Sequence, residues 1–147
     1  MKRLKPYHGA GMVFWTKDVQ GKFSVLLGKR SFNPGKGKWS IPGGGWEPQD
    51  GFEKTGRRNY RQTAMREAQE ELHFEIPRME SLVHLWSLHV PCFHFEVYAY
   101  ILSEQAIPTY VDEFSELCWV SVKALPTPMV CFLRNQIATL TKKYPQK

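Results

Sequence analysis

"REAQEELHF", Arg66 to Phe74, places three carboxylates within five positions: Glu67, Glu70 and Glu71. The surrounding pattern is helical. From about Tyr60 to Leu72, the apolar residues Ala64, Met65, Ala68 and Leu72 recur at helical spacing. Asn59, with Gln62 three residues on, suits a helix start. On such a helix, positions i, i+3 and i+4 share one face, where like charges repel. A solvated helix face ordinarily alternates its charges. Here Arg66 can pair with Glu70, but Glu67 and Glu71 have no basic residue three or four positions away. Carboxylates converging from one face are hard oxygen ligands suited to Mg2+ or Mn2+. Such an ion brings phosphate and an attacking water together. From spacing alone, a metal site and a charged surface both stay open.

Outward from the helix, the chain alternates strand and loop signals. "HGAGMVFWT" (8–16) and "KFSVLLGKR" (22–30) flank the turn-like "KDVQG" and predict a hairpin. "SFNPGKGK" (31–38) reads as a loop, and "WSIP" (39–42) as a short extended piece, since Pro42 biases Ile41 away from helix. "GGGWEPQDG" and "FEKTGRR" read as loops leading into the helix. Beyond it, "MESLVHLWSLHV" (79–90), "CFHFEVYAYIL" (92–102) and "LCWVSV" (117–122) predict strands, with a loop over 103–116. A second helix is expected over 128–144, with Pro128 at its first position, Val130, Leu133, Ile137 and Leu140 on one face, and Lys142 and Lys143 near its end. The glycines of "IPGGGWE" let backbone approach a ligand closely, although an ordinary tight turn needs them too.

The 147 residues suit one domain, and 42% hydrophobic with 23% charged residues is globular composition. A net charge of +6 favours anionic partners, phosphorylated small molecules or nucleic acid. No aromatic-basic RNA motif accompanies that charge, so nucleic acid is the weaker reading. Cys92, Cys118 and Cys131 have neither CxxC nor zinc-finger spacing, which fits a reducing compartment and three small buried apolar residues. Neither a signal peptide nor a spanning apolar run is visible, so a soluble cytoplasmic protein without a membrane partner is expected. Monomer and homodimer are both open.

Taken together, these residues resemble the Nudix hydrolase (MutT-like) family, whose signature is G-x5-E-x7-R-E-U-x-E-E-x-G-U, with U a bulky aliphatic residue. Arg66, Glu67, Glu70 and Glu71 match its second half, and "KWSIPGGG" is similar to the family's lead-in, with Pro42, Gly43 and Gly44 in register. "LLGKR" is similar to the family's second strand. The chain departs from the signature in four places. Five residues separate Gly44 from Asp50, which stands where the family has Glu, and 15 residues separate Asp50 from Arg66 instead of seven. The excess is an insertion of about eight residues within 51–61, holding Lys54, Arg57, Arg58 and Arg61. Either Asp50 or Glu53 stands in for the first acid. Ala68 replaces a larger aliphatic, and His73 replaces the box glycine, a helix end where glycine is favoured.

The resemblance implies an α/β/α sandwich and hydrolysis of a nucleoside diphosphate linked to another moiety. It implies that Glu67, Glu70, Glu71 and the Gly43 carbonyl hold Mg2+, or Mn2+, and that Arg66 orients Glu70. The general base it implies is Glu67, or an acid of "VDEFSELCWVS": Glu113 first, Glu116 second. Arg30 is placed to contact a phosphate, and Trp46, Phe32 or Tyr98 to stack a base. The inserted basic residues either touch phosphate or form a solvated loop. No tyrosine stands at Val90, Pro91 or Cys92, which argues against a diadenosine-polyphosphate substrate. The complete glutamate set favours phosphoanhydride cleavage over glycosyl hydrolysis. A nucleoside triphosphate is the leading substrate. ADP-ribose or a nucleotide sugar, and a non-catalytic nucleotide-binding regulator, are the alternatives.

Overall fold

β1 (Tyr7–Lys17) is buried on both faces, with Ala10, Met12 and Phe14 in one apolar cluster and Val13 and Trp15 in another. A strand of that kind needs cover on both sides and belongs in the middle of a sheet. The computed structural model, which describes residues 5–74, 81–108 and 113–144, places it there. β1 runs antiparallel to β2 (Phe23–Arg30), with Trp15 opposite Val25. It runs parallel to β6 (Phe93–Ile101), from Tyr7 opposite Phe93 to Trp15 opposite Ile101. Among the described residues, one mixed sheet joins these to β3 (Trp39–Ser40), β4 (Gly43–Gly45), β5 (Val83–Val90) and β7 (Phe114–Ser121), in the order β3-β2-β1-β6-β5. β4 also pairs with β1, and β7 with β2.

One helix closes each face. α1 (Tyr60–Leu72) seals Ala10, Met12, Phe14 and Leu26 with Tyr60, Ala64, Ala68 and Leu72. α2 (Leu133–Lys143) seals Val13, Trp15, Val25 and Leu27 with Leu133, Ile137 and Leu140. Each fully buried aliphatic contributes about 1.5–3 kcal/mol of transfer free energy. This is the α/β/α layering implied by the sequence motifs. Neither helix is long and apolar enough to cross a membrane.

The central helix keeps its expected bounds, and Asn59 caps it by accepting the Gln62 N–H at 3.1 Å. Elsewhere long-range pairing changes the local reading. Gly43–Gly45 is a strand because Gly9–Gly11 of β1 pairs with it, and Pro48–Asp50 is a one-turn 3-10 helix closed by Glu47 and Asp50. β7 begins at Phe114, inside the segment expected as loop, because Arg30 of β2 pairs there. α2 starts five residues later than expected. Trp39 takes residues 128–130 as extended chain, donating to Pro128 O and accepting from the Val130 N–H, and Phe132 before the helix has φ 69. The first two residues of the expected 79–90 strand lie outside the described residues. The cysteines are exposed, not buried. Cys92 sits in the β5–β6 turn with φ 67, Cys118 on β7, and Cys131 just before α2.

His73 ends α1 in the left-handed region, with φ 57 and ψ 26, and its backbone N–H bonds to Gln69 O. Glycine adopts that conformation without steric cost. His73→Gly is therefore expected to keep the fold and raise stability by at most about 1 kcal/mol. The urea unfolding midpoint measures this, and a fall in the midpoint would show that the imidazole contributes more than the backbone strain costs.

Candidate functional site

Arg66 leaves the outer side of α1 and reaches back to the turn before the helix. Its Nε donates to Asp50 Oδ1 at 2.7 Å and its Nη2 to Asp50 Oδ2 at 3.0 Å. The Asp50 side chain is only 1% exposed and the Arg66 side chain 10%. Asp50 also accepts from the Thr63 hydroxyl and from the Glu47 N–H, both at 2.9 Å. Burial alone pushes the Asp50 carboxyl up. The bonds from Arg66, Glu47 and Thr63 outweigh it and hold the carboxyl below its ordinary value. Asp50, and not Glu53, is thus the acid that engages the box arginine. The same guanidinium donates to Gly45 O at 2.8 Å, Glu67 at 3.0 Å and Glu70 at 3.2 Å. Helical spacing finds no cation for Glu67, yet its sequence neighbour supplies one, because a long guanidinium reaches beyond the i+3 and i+4 positions. Orienting Glu70, the role expected for Arg66, is one contact among these.

The three glutamates differ sharply in surroundings. Glu70 is 55% exposed at its side chain and Glu67 13%. Glu71 is 4% exposed and turned toward the sheet, where its Oε2 accepts the Gly43 N–H at 3.1 Å. Glu71 thus belongs to the buried face of α1. Burial pushes its carboxyl up to about 10, helped by a hydrogen bond with Glu113 and by the charges of Glu113 and Glu67. Burial also raises Glu67, against the pull of Arg66. Glu113 comes from the opposite sequence half, and its backbone oxygen is fixed by Ser31 Oγ at 2.6 Å and Ser31 N at 3.1 Å. Glu116 lies one β7 register position along, opposite Lys29.

The donor set fits a divalent cation. Glu67, Glu71 and Glu113 repel one another, and two of them are held in their uncharged direction by that repulsion and by burial. A cation at this place would relieve both. Gly44 leaves the room, since a Cβ there would stand 2.4 Å from Glu67 Oε1. Among the described residues, no group of three or more His, Cys, Asp and Glu side chains is already closed to metal-holding distances. Arg66 draws Glu67 and Glu70 to itself instead.

Beyond Gly43 and Gly44, on the α2 face, lies a cavity of about 490 Å3. Tyr7, Trp86, Phe93 and Phe132 give it aromatic walls, Arg30 and Lys38 cationic ones, and the buried Gln136 an amide. Tyr7 and Phe93 stack with ring centroids 5.4 Å apart. The sequence reading found Arg30 in this set and missed the others. For Tyr7 on β1 and Phe93 on β6, only the parallel pairing of the two strands brings the rings together. Of the expected stacking residues, Tyr98 is 4% exposed in the core under α1, Trp46 is covered by Arg58 at 4.9 Å and touches Phe52, and Phe32 is exposed outside the cavity. None of the three lines this cavity.

A NUDIX domain profile matches residues 6–140. The NUDIX domain of Shewanella oneidensis NrtR, solved with ADP ribose, is similar in structure, with TM-score 0.67 at 20% identity over 97% of this chain and 90% of that one. A MutT NUDIX hydrolase from Burkholderia pseudomallei has TM-score 0.66 at 23% identity over 93% and 99%. A MutT/nudix family protein from Enterococcus faecalis has TM-score 0.65 at 21% identity over 82% of this chain, which spans 46% of that protein. At these identities the likeness is one of fold. A sequence comparison with curated proteins finds no match.

A carboxyl raised in the folded state from 4.5 to about 10 gives stability that is complete below the unfolded value and lost as pH rises through the folded one. Metal-free Glu71→Gln is therefore expected to be more stable than the parent at about pH 8, with the difference shrinking toward about pH 4. Urea midpoints across that range test it, and a parallel offset at every pH would count against the burial of a titrating Glu71.

Proposed function

Because this chain belongs to the NUDIX family of hydrolases, we propose that it hydrolyses a nucleoside diphosphate linked to another moiety, with a nucleoside triphosphate as substrate and pyrophosphate as leaving group. The observation that carries this reading is the adjacency of a buried, repelling carboxylate set at Gly43 and Gly44 to an aromatic and cationic cavity of about 490 Å3. Such a cavity suits a base and sugar with phosphates at its mouth.

Within this reading, Glu67, Glu70, Glu71 and the Gly43 carbonyl hold Mg2+, with Mn2+ as a substitute. The cation supplies polarisation of phosphoryl oxygens and of the attacking water. The protein's own groups do the rest. The stacked Tyr7–Phe93 pair offers the base an aromatic wall, and Arg30, anchored by its Nε on Pro34 O at 2.8 Å, faces phosphate oxygens. Arg66 fixes the helix to the glycine strand, so the carboxylates keep their distance from the phosphorus. Glu113 takes the proton from water. Its place beside Glu71 supports that role. Glu67 is the second candidate base.

The screen that decides the substrate measures Mg2+-dependent nucleoside monophosphate formation from nucleoside triphosphates, ADP-ribose and nucleotide sugars. Fastest turnover is expected on a triphosphate. Preference for ADP-ribose would replace the leading reading by the alternative, and tight binding without turnover of any would make the chain a nucleotide-binding regulator. Glu113→Gln is expected to lower kcat by about 100-fold, whereas a loss under about tenfold is too small for a general base. Gly44→Ala is expected to leave thermal unfolding nearly unchanged, because its Cβ meets the flexible end of Glu67, and to lower kcat about 100-fold by displacing that carboxylate.

A further inference from the structure

The insertion is not a solvated loop. Arg57 pairs with the buried Glu96 of β6, Arg61 donates to Leu82 O at 2.7 Å, and Arg58 lies over the Trp46 ring. Arg57 and Arg58 roof a second cleft of about 500 Å3, on the α1 face of the sheet and separate from the first cavity. Its floor holds three histidines from three strands, His8, His89 and His94. The Tyr60 hydroxyl bridges His8 Nδ1 at 3.1 Å and His94 Nδ1 at 3.2 Å. His89 stacks on His94 at 4.4 Å, and His84 Nε2 reaches Glu96 at 3.2 Å.

The charges do not balance. Glu96 is the one carboxylate lining the cleft, and Arg57, His84 and His94 already meet it. Arg58, His8 and His89 face the same space with no acid of their own among its lining residues. Arg58 Nε is buried without a hydrogen-bond partner. Burial first, and then the nearby Arg58, His94 and His89, hold the His8 imidazole below its ordinary value. Two guanidiniums in the wall disfavour a metal cation. A guanidinium fork with imidazole N–H groups is instead the usual complement of phosphate oxygens.

We propose that this cleft, built by the inserted segment, is a phosphate-binding site. Along α1, Tyr60 at the cleft is seven residues from Glu67, about 10 Å at the helical rise. Trp46, two residues beyond Gly44, joins the two places by donating to His8 O at 2.7 Å. The phosphate is therefore either the outermost one of the bound substrate or one belonging to the pyrophosphate released. Only the identity of that carrier rests on the hydrolase reading.

Calorimetric titration of the metal-free chain with inorganic phosphate tests the site directly. Arg58→Gln and His89→Ala are each expected to weaken binding about tenfold, Arg58→Lys to retain most of it, and Glu71→Gln to bind like the parent. Unchanged phosphate affinity in both Arg58→Gln and His89→Ala, with parental fluorescence spectra and melting, would overturn the proposal. With triphosphate as substrate, a raised KM in Arg58→Gln at near-parental kcat assigns the site to substrate-borne phosphate. An unchanged KM with loss of inhibition by pyrophosphate assigns it to the product. Arg58-dependent phosphate binding in a chain that turns over no triphosphate would keep the cleft and discard the substrate reading.

Discussion

The clasp between Arg66 and Asp50 is the constraint on which the site depends. Two nearly parallel hydrogen bonds join a guanidinium and a carboxylate that are both almost out of water. Removing either partner would leave the other charge buried, a loss of about 3–5 kcal/mol for pairs of this kind. The pair ties the turn before α1 to the middle of the helix, and through Gly45 O it ties both to the glycine strand. The relative position of Glu67, Glu71 and Gly43 follows from that fastening. Cost and benefit are local, since the same guanidinium also offsets the charge of Glu67 and Glu70.

Held in this frame, Glu71 is stored at an electrostatic disadvantage. Its burial, with Glu113 and Glu67 close by, opposes ionisation. A residue serving stability alone would be better placed as an apolar one. Perturbed carboxyls beside a cavity are a mark of functional sites, and on the proposed reading a bound cation would return what folding gave up.

The inserted residues show how a loop becomes structure. Extra chain before a helix adds little loop entropy, and here it is fastened at three points: Arg57 on Glu96, Arg58 on Trp46, Arg61 on Leu82. Glu96 lies on β6, next to the strand that carries Gly9 to Gly11, so the insertion is anchored to the part of the sheet that also holds the glycine turn.

The sequence by itself determined what is local. α1 and its Asn59 cap follow from 3.6-residue periodicity and side-chain chemistry, β1 and β2 from their apolar runs and turn, and the box acids from their spacing. Tertiary structure decided whatever required two distant segments to meet. Asp50 became the partner of Arg66, Glu71 turned inward while Glu70 stayed out, and Glu113 came across from β7. Tyr98 went to the core while Tyr7 lined the cavity, and the cysteines stayed at the surface. Trp39 held residues 128–130 extended and so delayed α2. Each of these depends on strand order and on the reach of long side chains, and neither is encoded in the spacing of residues along one element.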